Sequence, residues 1–365
     1  MKIAIIHDYL CGVGGSERVF QYICEEFAEA DIYTLSINCN ITLPYFSHKK
    51  INTTYLNYFV RSMRAFRLAF PLATRAMGSI DLSAYDLVLS SSATVAKYVN
   101  VPNGIHVCYC YIPTRALWQT EEYFKSSFVK FLISPFLGYL RKQDINAASK
   151  INFFIAISEN TRDHIKRTYS RESIVLNCPI DLSQFKQSPI KGDHFLLVSR
   201  LEQWKRVDYA VEAFNKLGLP LRIIGTGKEE SRLKEVAKSN ISFLGQVDDI
   251  TLASEYAKAK AVIFTPSLEY GLVPLESVAS GTPVIAYGYG GIEETMIPLR
   301  VGSIRKNQSP PTAHFFYEQT AEALADAVLN FDQSKFSPED MILYASRWGI
   351  PEFKYKLRTI VMAFL

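Results

Sequence analysis

Short apolar runs alternate along this chain with segments in which apolar residues recur at helical spacing. The segment Glu17–Phe27 shows this spacing, and it follows an apolar run at Lys2–His7. Repeated alternation of strand and helix predicts parallel sheets with helices on both faces. The strands predicted for the first half are Lys2–His7, Ile32–Leu35, Leu87–Ser90, His106–Tyr111, Phe153–Ile157 and Ile174–Leu176.

The same series restarts after a polar stretch at Cys178–Gly192, which is predicted to be an interdomain linker. We therefore expect two α/β domains, residues 1–180 and 190–348. An amphipathic helix predicted at about 350–365 should pack back on the first of them. The strands predicted for the second domain are Phe195–Ser199, Leu221–Ile224, Ile241–Leu244, Ala261–Thr265 and Val284–Ala286.

Composition narrows the classes of function. Hydrophobic residues make up 48% of the chain and charged residues 21%, as in a globular protein, and the net charge of +4 is too small to predict nucleic-acid binding. No apolar run reaches about 18 residues, and the start MKIAIIHDYL does not resemble a signal peptide. With six scattered cysteines that are predicted to be reduced, these features favour the cytoplasm.

The first candidate ligand site is a glycine-rich loop after the first strand, where open parallel sheets bind ligands. Gly12 and Gly14 supply two glycines of a dinucleotide fingerprint, but Glu17 stands where the third should be. Gly14 and Gly15 still allow a ligand to approach the backbone, and the following helix N-terminus attracts an anion. A tight turn without a ligand would explain the glycines equally well.

Candidate diphosphate ligands follow the first strand of the second domain. Arg200 offers a planar fork and Lys205 a point charge, both suited to phosphate oxygens. A solvated basic loop would show the same residues. A further loop with Gly290 and Gly291 again gives close backbone access before a helix.

The segment Ser267–Glu276 follows the strand Ala261–Thr265 and is the most informative. Pro274 suits a first helical turn and Gly281 a C-cap, so a short helix is predicted at about Val273–Ser280. Its first amides should face a ligand, and Glu276 is predicted in its first turn. The Glu276 carboxylate either binds two hydroxyls, such as those of a ribose, or only caps the helix.

Seven stretches, taken in order, resemble glycosyltransferase family 4, the retaining enzymes with two facing Rossmann-like domains and an interdomain cleft (the GT-B fold). They cover nearly the whole chain, and the first two are most similar to the bacterial O-antigen and capsule mannosyltransferase-like branch. The stretches are HDYLCGVGGSERV, CYCYIPTRALW, FIAISENTR, VSRLEQWKRVDYAVEAF, IIGTGKEESRL, SFLGQV and EYGLVPLESVASGTPVIAYGYGGIEET.

The resemblance implies a nucleotide-diphosphate sugar as donor, with GDP-mannose as the leading expectation, and a glycan or lipid-linked acceptor. It implies that Arg200 and Lys205 neutralise the diphosphate and that Glu276 binds the ribose. Tyr111 and Arg115 are implied on the acceptor side. The other residues implied to bind the donor are Gly14, Gly15, Phe243, Gly245, Gly271, Leu272, Val273, Gly290, Gly291 and Glu294.

The sequence departs from the family pattern at two places. Members usually have two glutamates separated by seven residues, but Leu268 stands at the first position and Glu269 comes one residue later. Glu269 is expected to take over the catalytic contact with the donor sugar. Tyr111 stands where members carry a histidine, and a phenol does not titrate near neutral pH. These departures keep open an alternative function, a catalytically silent donor-binding or scaffold subunit. A sugar-nucleotide epimerase, also built on two such domains, is disfavoured by the order of the stretches.

Two further expectations concern partners. No Asp-x-Asp motif is present, so neither a metal ion nor another cofactor is expected. The segment Tyr55–Met77 interleaves four arginines with aromatic residues, which suits either peripheral contact with the inner face of an anionic membrane or a helix with a solvated basic face.

Overall fold

The computed structural model describes residues 1–40, 42–120, 127–267, 270–299 and 309–365, without the side chains of residues 63, 64, 67, 68 and 127–133. These residues form two compact units. We refer to Met1–Cys178 with Pro351–Leu365 as the N-terminal domain, and to Pro179–Ile350 as the C-terminal domain.

The N-terminal domain contains a parallel sheet of seven strands in the order β3-β2-β1-β4-β5-β6-β7. The order reverses between β1 and β4, where Rossmann-like sheets bind ligands. Its strands are β1 (Ile3–His7), β2 (Asp31–Thr34), β3 (Ile51–Thr53), β4 (Leu87–Ser92), β5 (Ile105–Cys110), β6 (Phe153–Ala156) and β7 (Ser173–Val175). Its helices are α1 (Gly15–Glu26), α2 (Pro44–Ser47), α3 (Met63–Gly78), α4 (Arg115–Trp118), α5 (Ser127–Ser149) and α6 (Glu159–Tyr169).

The C-terminal domain repeats this plan with six parallel strands in the order β10-β9-β8-β11-β12-β13. Its strands are β8 (Phe195–Val198), β9 (Leu221–Ile224), β10 (Ile241–Gly245), β11 (Val262–Phe264), β12 (Val284–Tyr287) and β13 (Ala313–Phe316). Its helices are α7 (Val207–Leu217), α8 (Glu230–Val236), α9 (Asp249–Lys258), α10 (Leu272–Ala279), α11 (Ile292–Thr295), α12 (Ala321–Leu329) and α13 (Pro338–Ala345).

Both faces of the second sheet are covered, because successive strand residues enter different cores. Leu197 packs with Phe214 of α7, whereas its neighbour Leu196 packs with Tyr256 of α9. Strands buried on both faces read as short continuous apolar runs, which is why they were visible in the sequence. The prediction of an α/β protein with two Rossmann-like domains is confirmed.

The last helix, α14 (Ile350–Met362), packs on the N-terminal domain. Its buried residues Phe353, Leu357 and Val361 recur at every fourth position and form one apolar face. The Phe353 ring meets Tyr109 of β5 edge-on at 5.9 Å between ring centroids. On its polar side Lys354 forms an ion pair with Glu25 of α1 at 2.7 Å.

None of the helices in the described ranges is long and apolar enough to cross a membrane. All six cysteines are free thiols, and Cys108 and Cys110 lie in one apolar cluster, as their alternation in the sequence predicted.

Candidate functional site

Three loops of the C-terminal domain carry most of the predicted donor-binding residues. They follow β8, β11 and β12, which are parallel neighbours in the sheet. The carboxyl ends of neighbouring parallel strands lie at one edge, so the three loops lie side by side. The topology therefore brings Arg200 and Lys205, the start of α10 and the Gly290–Gly291 loop to the same edge.

Arg200 and Lys205 lie on a tight turn between β8 and α7. Arg200 is exposed and Lys205 half-buried, with its ammonium 4.2 Å from the centre of the Trp204 ring. The Thr265 hydroxyl, just after β11, donates a hydrogen bond of 2.8 Å to the Lys205 carbonyl. This bond ties the basic turn to the neighbouring loop.

Two glycines let the next loop pass directly beneath this turn. A Cβ on Gly225, which has a φ of +124°, would lie 1.9 Å from the carbonyl oxygen of Ser199. A Cβ on Gly227 would lie 2.3 Å from the carbonyl oxygen of Leu201. Only glycine fits such close contacts, so Gly225 and Gly227 position the Arg200 loop, a role the sequence analysis did not assign to them.

Glu276 lies on α10, but not where the sequence placed it. The helix begins at Leu272 after Gly271, so Glu276 is its fifth residue and the prediction of a first-turn carboxylate was wrong. The helix starts one residue early because Gly271 is already extended and acts as the N-cap. At the other end Gly281 has a φ of +65°, which confirms the predicted glycine stop. The Glu276 carboxylate accepts a hydrogen bond of 2.7 Å from the Tyr256 hydroxyl.

The remaining donor-side predictions lie on β10 and around α11. Phe243 of β10 packs against the apolar core, and Gly245 follows with a φ of +68°. Gly290 has a φ of +85°, Gly291 caps α11, and Glu294 lies half-buried within that helix. Leu268 and Glu269 lie outside the described residues, so the expected sugar contact of Glu269 stays a prediction.

The glycine loop of the N-terminal domain already contains an internal anion. Glu17, 6% exposed, folds back toward the start of α1, where a Cβ on Gly14 would lie 2.8 Å from its Oε2. Its Oε1 is 4.0 Å from His7 Nε2, and Ser16 donates to its Oε2 at 3.0 Å. Burial raises the pKa of Glu17, but His7, the Glu17 amide and Ser16 outweigh burial and lower it. The residue that breaks the dinucleotide fingerprint thus supplies a carboxylate to the first turn of α1.

The two predicted acceptor-side residues have different surroundings. Tyr111 is 8% exposed, and its hydroxyl bonds with Ser91 Oγ and the Ser16 carbonyl, both at 3.0 Å. These contacts hold Tyr111 inside the domain, between β4 and α1. Arg115 is half-buried and begins the short helix α4.

Two buried polar groups that the sequence analysis missed organise the loops beside these residues. Asp8, 3% exposed, accepts four backbone N–H bonds of 2.6–2.9 Å from residues 93–96 after β4. Lys97 and Asp144 form a fully buried ion pair at 3.0 Å. Lys97 also donates to the Thr114 hydroxyl at 2.6 Å and so reaches the residue before Arg115. No sequence signal marks these contacts, since each joins positions far apart along the chain.

No metal-binding cluster singles out another site in the described part of the chain. There, no three His, Cys, Asp or Glu residues are grouped so that they could hold a metal ion. An open cavity of about 410 Å³ lies along β13 and α12, but none of the predicted site residues lines it. The expectation of a metal-independent reaction stays a prediction.

Comparison with known proteins finds a family match within the C-terminal domain. Residues 181–348 match the family described as glycosyl transferases group 1. The alpha-1,3/1,6-mannosyltransferase ALG2 of Dictyostelium discoideum is 23% identical over 367 residues, which cover 83% of this chain and 85% of that protein. The O-antigen chain mannosyltransferase RfbU of Salmonella typhimurium is 22% identical over 241 residues, which cover 62% of this chain and 65% of that protein.

Solved structures agree with the fold over the full length. A sucrose-phosphate synthase from Thermosynechococcus elongatus superposes with a TM-score of 0.77 at 16% identity, covering 100% of this chain and 99% of that one. Anabaena Alr3699/HepE in complex with UDP superposes with a TM-score of 0.68 at 14% identity, and the superposition covers 100% of both chains. The predicted GT-B fold is confirmed, and the fold and the family match together support a glycosyltransferase.

Proposed function

We propose that this protein is a retaining hexosyltransferase that uses a nucleotide-diphosphate sugar, with mannose from GDP-mannose as the expected donor. The acceptor is a glycan or a lipid-linked saccharide of polysaccharide or glycoconjugate synthesis, and the reaction needs no metal ion. The proposal rests above all on the three adjacent loops after β8, β11 and β12. They assemble two cations, a helix N-terminus and a carboxylate at one sheet edge.

The names of the relatives support the choice of donor. ALG2, RfbU and a phosphatidyl-myo-inositol mannosyltransferase of Mycolicibacterium smegmatis, 29% identical over 182 residues, are mannosyltransferases. Anabaena HepE was solved in complex with UDP and with UDP-glucose. Mannose is therefore the expected sugar, and binding to a series of nucleotides tests whether guanine is the base that carries it.

The proposed reaction exchanges one bond for another at the anomeric carbon. The bond to the β-phosphate oxygen breaks while the acceptor oxygen attacks the same face, and a phosphate oxygen takes the acceptor's proton. Negative charge grows on the leaving diphosphate, where Arg200, Lys205 and the first amides of α10 would stabilise it. Glu276 would orient the donor through its ribose hydroxyls.

Thermal unfolding with GDP, UDP, ADP and their sugar conjugates tests this proposal directly. A ligand that binds only the folded state, at a hundredfold excess over its Kd, stabilises by about 2.7 kcal/mol. For a domain of this size the midpoint should rise by about 5–10 °C. With all ligands at one common concentration, we expect the largest rise with GDP-mannose and a smaller one with free GDP.

Other outcomes would redirect the proposal. Equal shifts with a free diphosphate and all its conjugates would show that the sugar is not sensed, and would favour a silent donor-binding subunit. That alternative draws on Leu268 and on the internal bonding of the Tyr111 hydroxyl. No shift with any nucleotide would contradict the roles proposed for Arg200, Lys205 and Glu276.

A membrane-bound acceptor is suggested by an exposed aromatic–basic patch, formed by Tyr55, Tyr58, Phe59 and Arg61. Tyr58 is 81% and Phe59 75% exposed, at the end of a short 3-10 helix. Arg61 is exposed beside them, before α3 begins. Large exposed aromatics next to a cation suit the interface of an anionic bilayer. The side chains of Arg64, Arg67 and Leu68, which belong to the same segment Tyr55–Met77, lie outside the described part of α3.

Replacing both Tyr58 and Phe59 by Ser should lower the fraction of protein that sediments with anionic liposomes at low salt. The change removes the apolar anchor and leaves the patch's Arg61 in place, so residual binding should be salt-sensitive. The control is Tyr355→Ser on α14, since Tyr355 is 71% exposed but lies outside the patch. Equal sedimentation of the double variant, the control and the unchanged protein would contradict the membrane proposal.

A further inference from the structure

Tyr256 of α9 is a fully buried tyrosine whose hydroxyl reaches the proposed ribose carboxylate. The side chain is 0% exposed and packs with Leu196 and Val262 of the sheet. The Phe185 ring meets it edge-on at 5.9 Å. Its hydroxyl donates to Glu276 Oε2 at 2.7 Å. A buried phenol is costly unless its hydroxyl is hydrogen-bonded, and this bond meets that need.

The tyrosine is tied to the region of α10 at its backbone as well as at its hydroxyl. The Thr282 hydroxyl, just after α10, donates to the Tyr256 carbonyl at 2.7 Å. Ser277 of α10 donates in turn to the Thr282 carbonyl at 2.7 Å. Tyr256 therefore cannot shift independently of α10, and its hydroxyl is a fixed point for Glu276.

Glu276 gains more from such a fixed point than a rigid residue would. It is half-buried, and a glutamate has three rotatable side-chain bonds whose freedom must be lost before it binds two ribose hydroxyls. The Tyr256 hydroxyl, a hydrogen-bond donor fixed at 2.7 Å from Oε2, restricts the carboxylate before any ligand arrives. Burial and the neighbouring Glu276 charge raise the pKa of Tyr256 well above its ordinary value. Its hydroxyl therefore keeps its proton, and donates the hydrogen bond to Glu276, at every practical pH.

We propose that Tyr256 is a positioning residue for the donor, holding the Glu276 carboxylate in the orientation that accepts the ribose hydroxyls. This inference rests on the proposed function, in which Glu276 binds the ribose of a nucleotide sugar. It predicts that removing one buried hydroxyl, which no ligand needs to touch, changes how well the protein recognises ribose.

The test compares Tyr256→Phe with Tyr344→Phe. Tyr344 is also buried in the C-terminal domain, and its hydroxyl donates to the Thr295 carbonyl at 3.1 Å. Both variants lose one buried hydroxyl and keep the ring, so both should lose similar stability. Calorimetric titration would give the Kd of GDP and UDP and of their 2′-deoxy and 2′,3′-dideoxy forms.

In the unchanged protein the dideoxy form of the recognised nucleotide should bind about 10–100 times more weakly, because hydrogen bonds to a carboxylate are lost. Glu276→Gln should reduce this ratio to about threefold or less. Tyr256→Phe should reduce it at least threefold, whereas Tyr344→Phe should leave it unchanged.

The outcomes separate the inference from the function on which it rests. If Glu276→Gln removes the discrimination but Tyr256→Phe keeps it in full, the positioning role is overturned and the ribose role stands. If Glu276→Gln keeps the discrimination, both are overturned. If Tyr256→Phe and Tyr344→Phe reduce the discrimination equally, the cause is a general loss of packing, and the positioning role is also overturned.

Discussion

Replacing Asp144 by Asn should destabilise the N-terminal domain by about 3–5 kcal/mol, because it leaves the buried Lys97 ammonium without its counter-ion. The Lys97 and Asp144 side chains are 1% and 0% exposed, and their charged atoms are 3.0 Å apart. Tyr98, Trp118 and Tyr169 also donate to the carboxylate, at 2.6–2.7 Å. An amide at this position would turn its NH2 group toward some of these donors. Urea unfolding, followed by the fluorescence of Trp118 in a background in which Trp204 and Trp348 are replaced by Phe, would measure the loss.

Lys97→Met should destabilise the N-terminal domain less than Asp144→Asn does, although it breaks the same ion pair. It leaves the carboxylate with the hydroxyl and indole donors, whereas Asp144→Asn leaves a buried cation with neutral partners, among them the Thr94 carbonyl, the Thr114 hydroxyl and the rings of Tyr98 and Tyr169. Asp163→Asn is the control, since that side chain is 64% exposed and should change stability by no more than about 0.5 kcal/mol. Equal losses for Asp144→Asn and Asp163→Asn would contradict the importance assigned to the pair.

The loss of unfolding free energy caused by Asp144→Asn should depend on pH in a defined direction. Burial raises the pKa of Asp144, but Lys97 and the three donors outweigh it and hold the pKa below the usual 3.8. The stability that the ionised group contributes is therefore complete above about pH 4 and is lost as pH falls through the folded-state pKa. The difference between the unchanged protein and Asp144→Asn should be constant from about pH 5 to 8 and shrink in stronger acid.

The sequence predicted the strands well because both sheets are buried on both faces. Such strands are mostly short apolar runs between turn residues, and Leu221–Ile224, which Arg222 interrupts, was predicted to the residue. The two strands it missed, β3 and β13, are edge strands of three and four residues. Length alone does not account for these two misses, because β7, also an edge strand of three residues, was predicted.

The site was predictable where a role depends on local chemistry and unpredictable where it depends on contacts across the fold. Glycines before helices and cations after strands mark candidate loops from the sequence alone. The hydroxyl of Tyr256 meets Glu276 twenty positions away, and the Asp144 carboxylate meets Lys97 across 47 positions, only because the sheets bring their helices together. Even within one helix, a one-residue difference in its start moved Glu276 out of the first turn.

Replacing Arg200 or Lys205 by Ala should lower the rate of sugar transfer by about 100–1,000-fold, the usual effect of removing one group that stabilises developing charge. Stability should change little, since Arg200 is exposed and Lys205 is half-buried, with its ammonium 4.2 Å from the centre of the Trp204 ring. Release of nucleoside diphosphate from the donor identified by thermal shift, in the presence of acceptor, would measure the rate.

The matched control for charge is Lys258→Ala. Lys258 is exposed at the end of α9 that leads into β11, so it lies at the amino edge of the same sheet, opposite the loops of the proposed site. Its loss changes the net charge of the domain by the same amount as the loss of Lys205. Near-normal transfer by both Arg200→Ala and Lys205→Ala would contradict their assignment, whereas a similar loss in Lys258→Ala would point to a long-range charge effect.

How the loss divides between kcat and KM tests the mechanism more closely than its size. Charge on the diphosphate grows as the glycosidic bond breaks, so a cation that stabilises it acts more strongly in the transition state than on the bound donor. Arg200→Ala and Lys205→Ala should therefore lower kcat by a larger factor than they weaken binding of the intact donor. A rise in KM with unchanged kcat would instead assign the two cations to uniform binding of the donor, and the stabilisation of the leaving group would then fall to the amides at the start of α10.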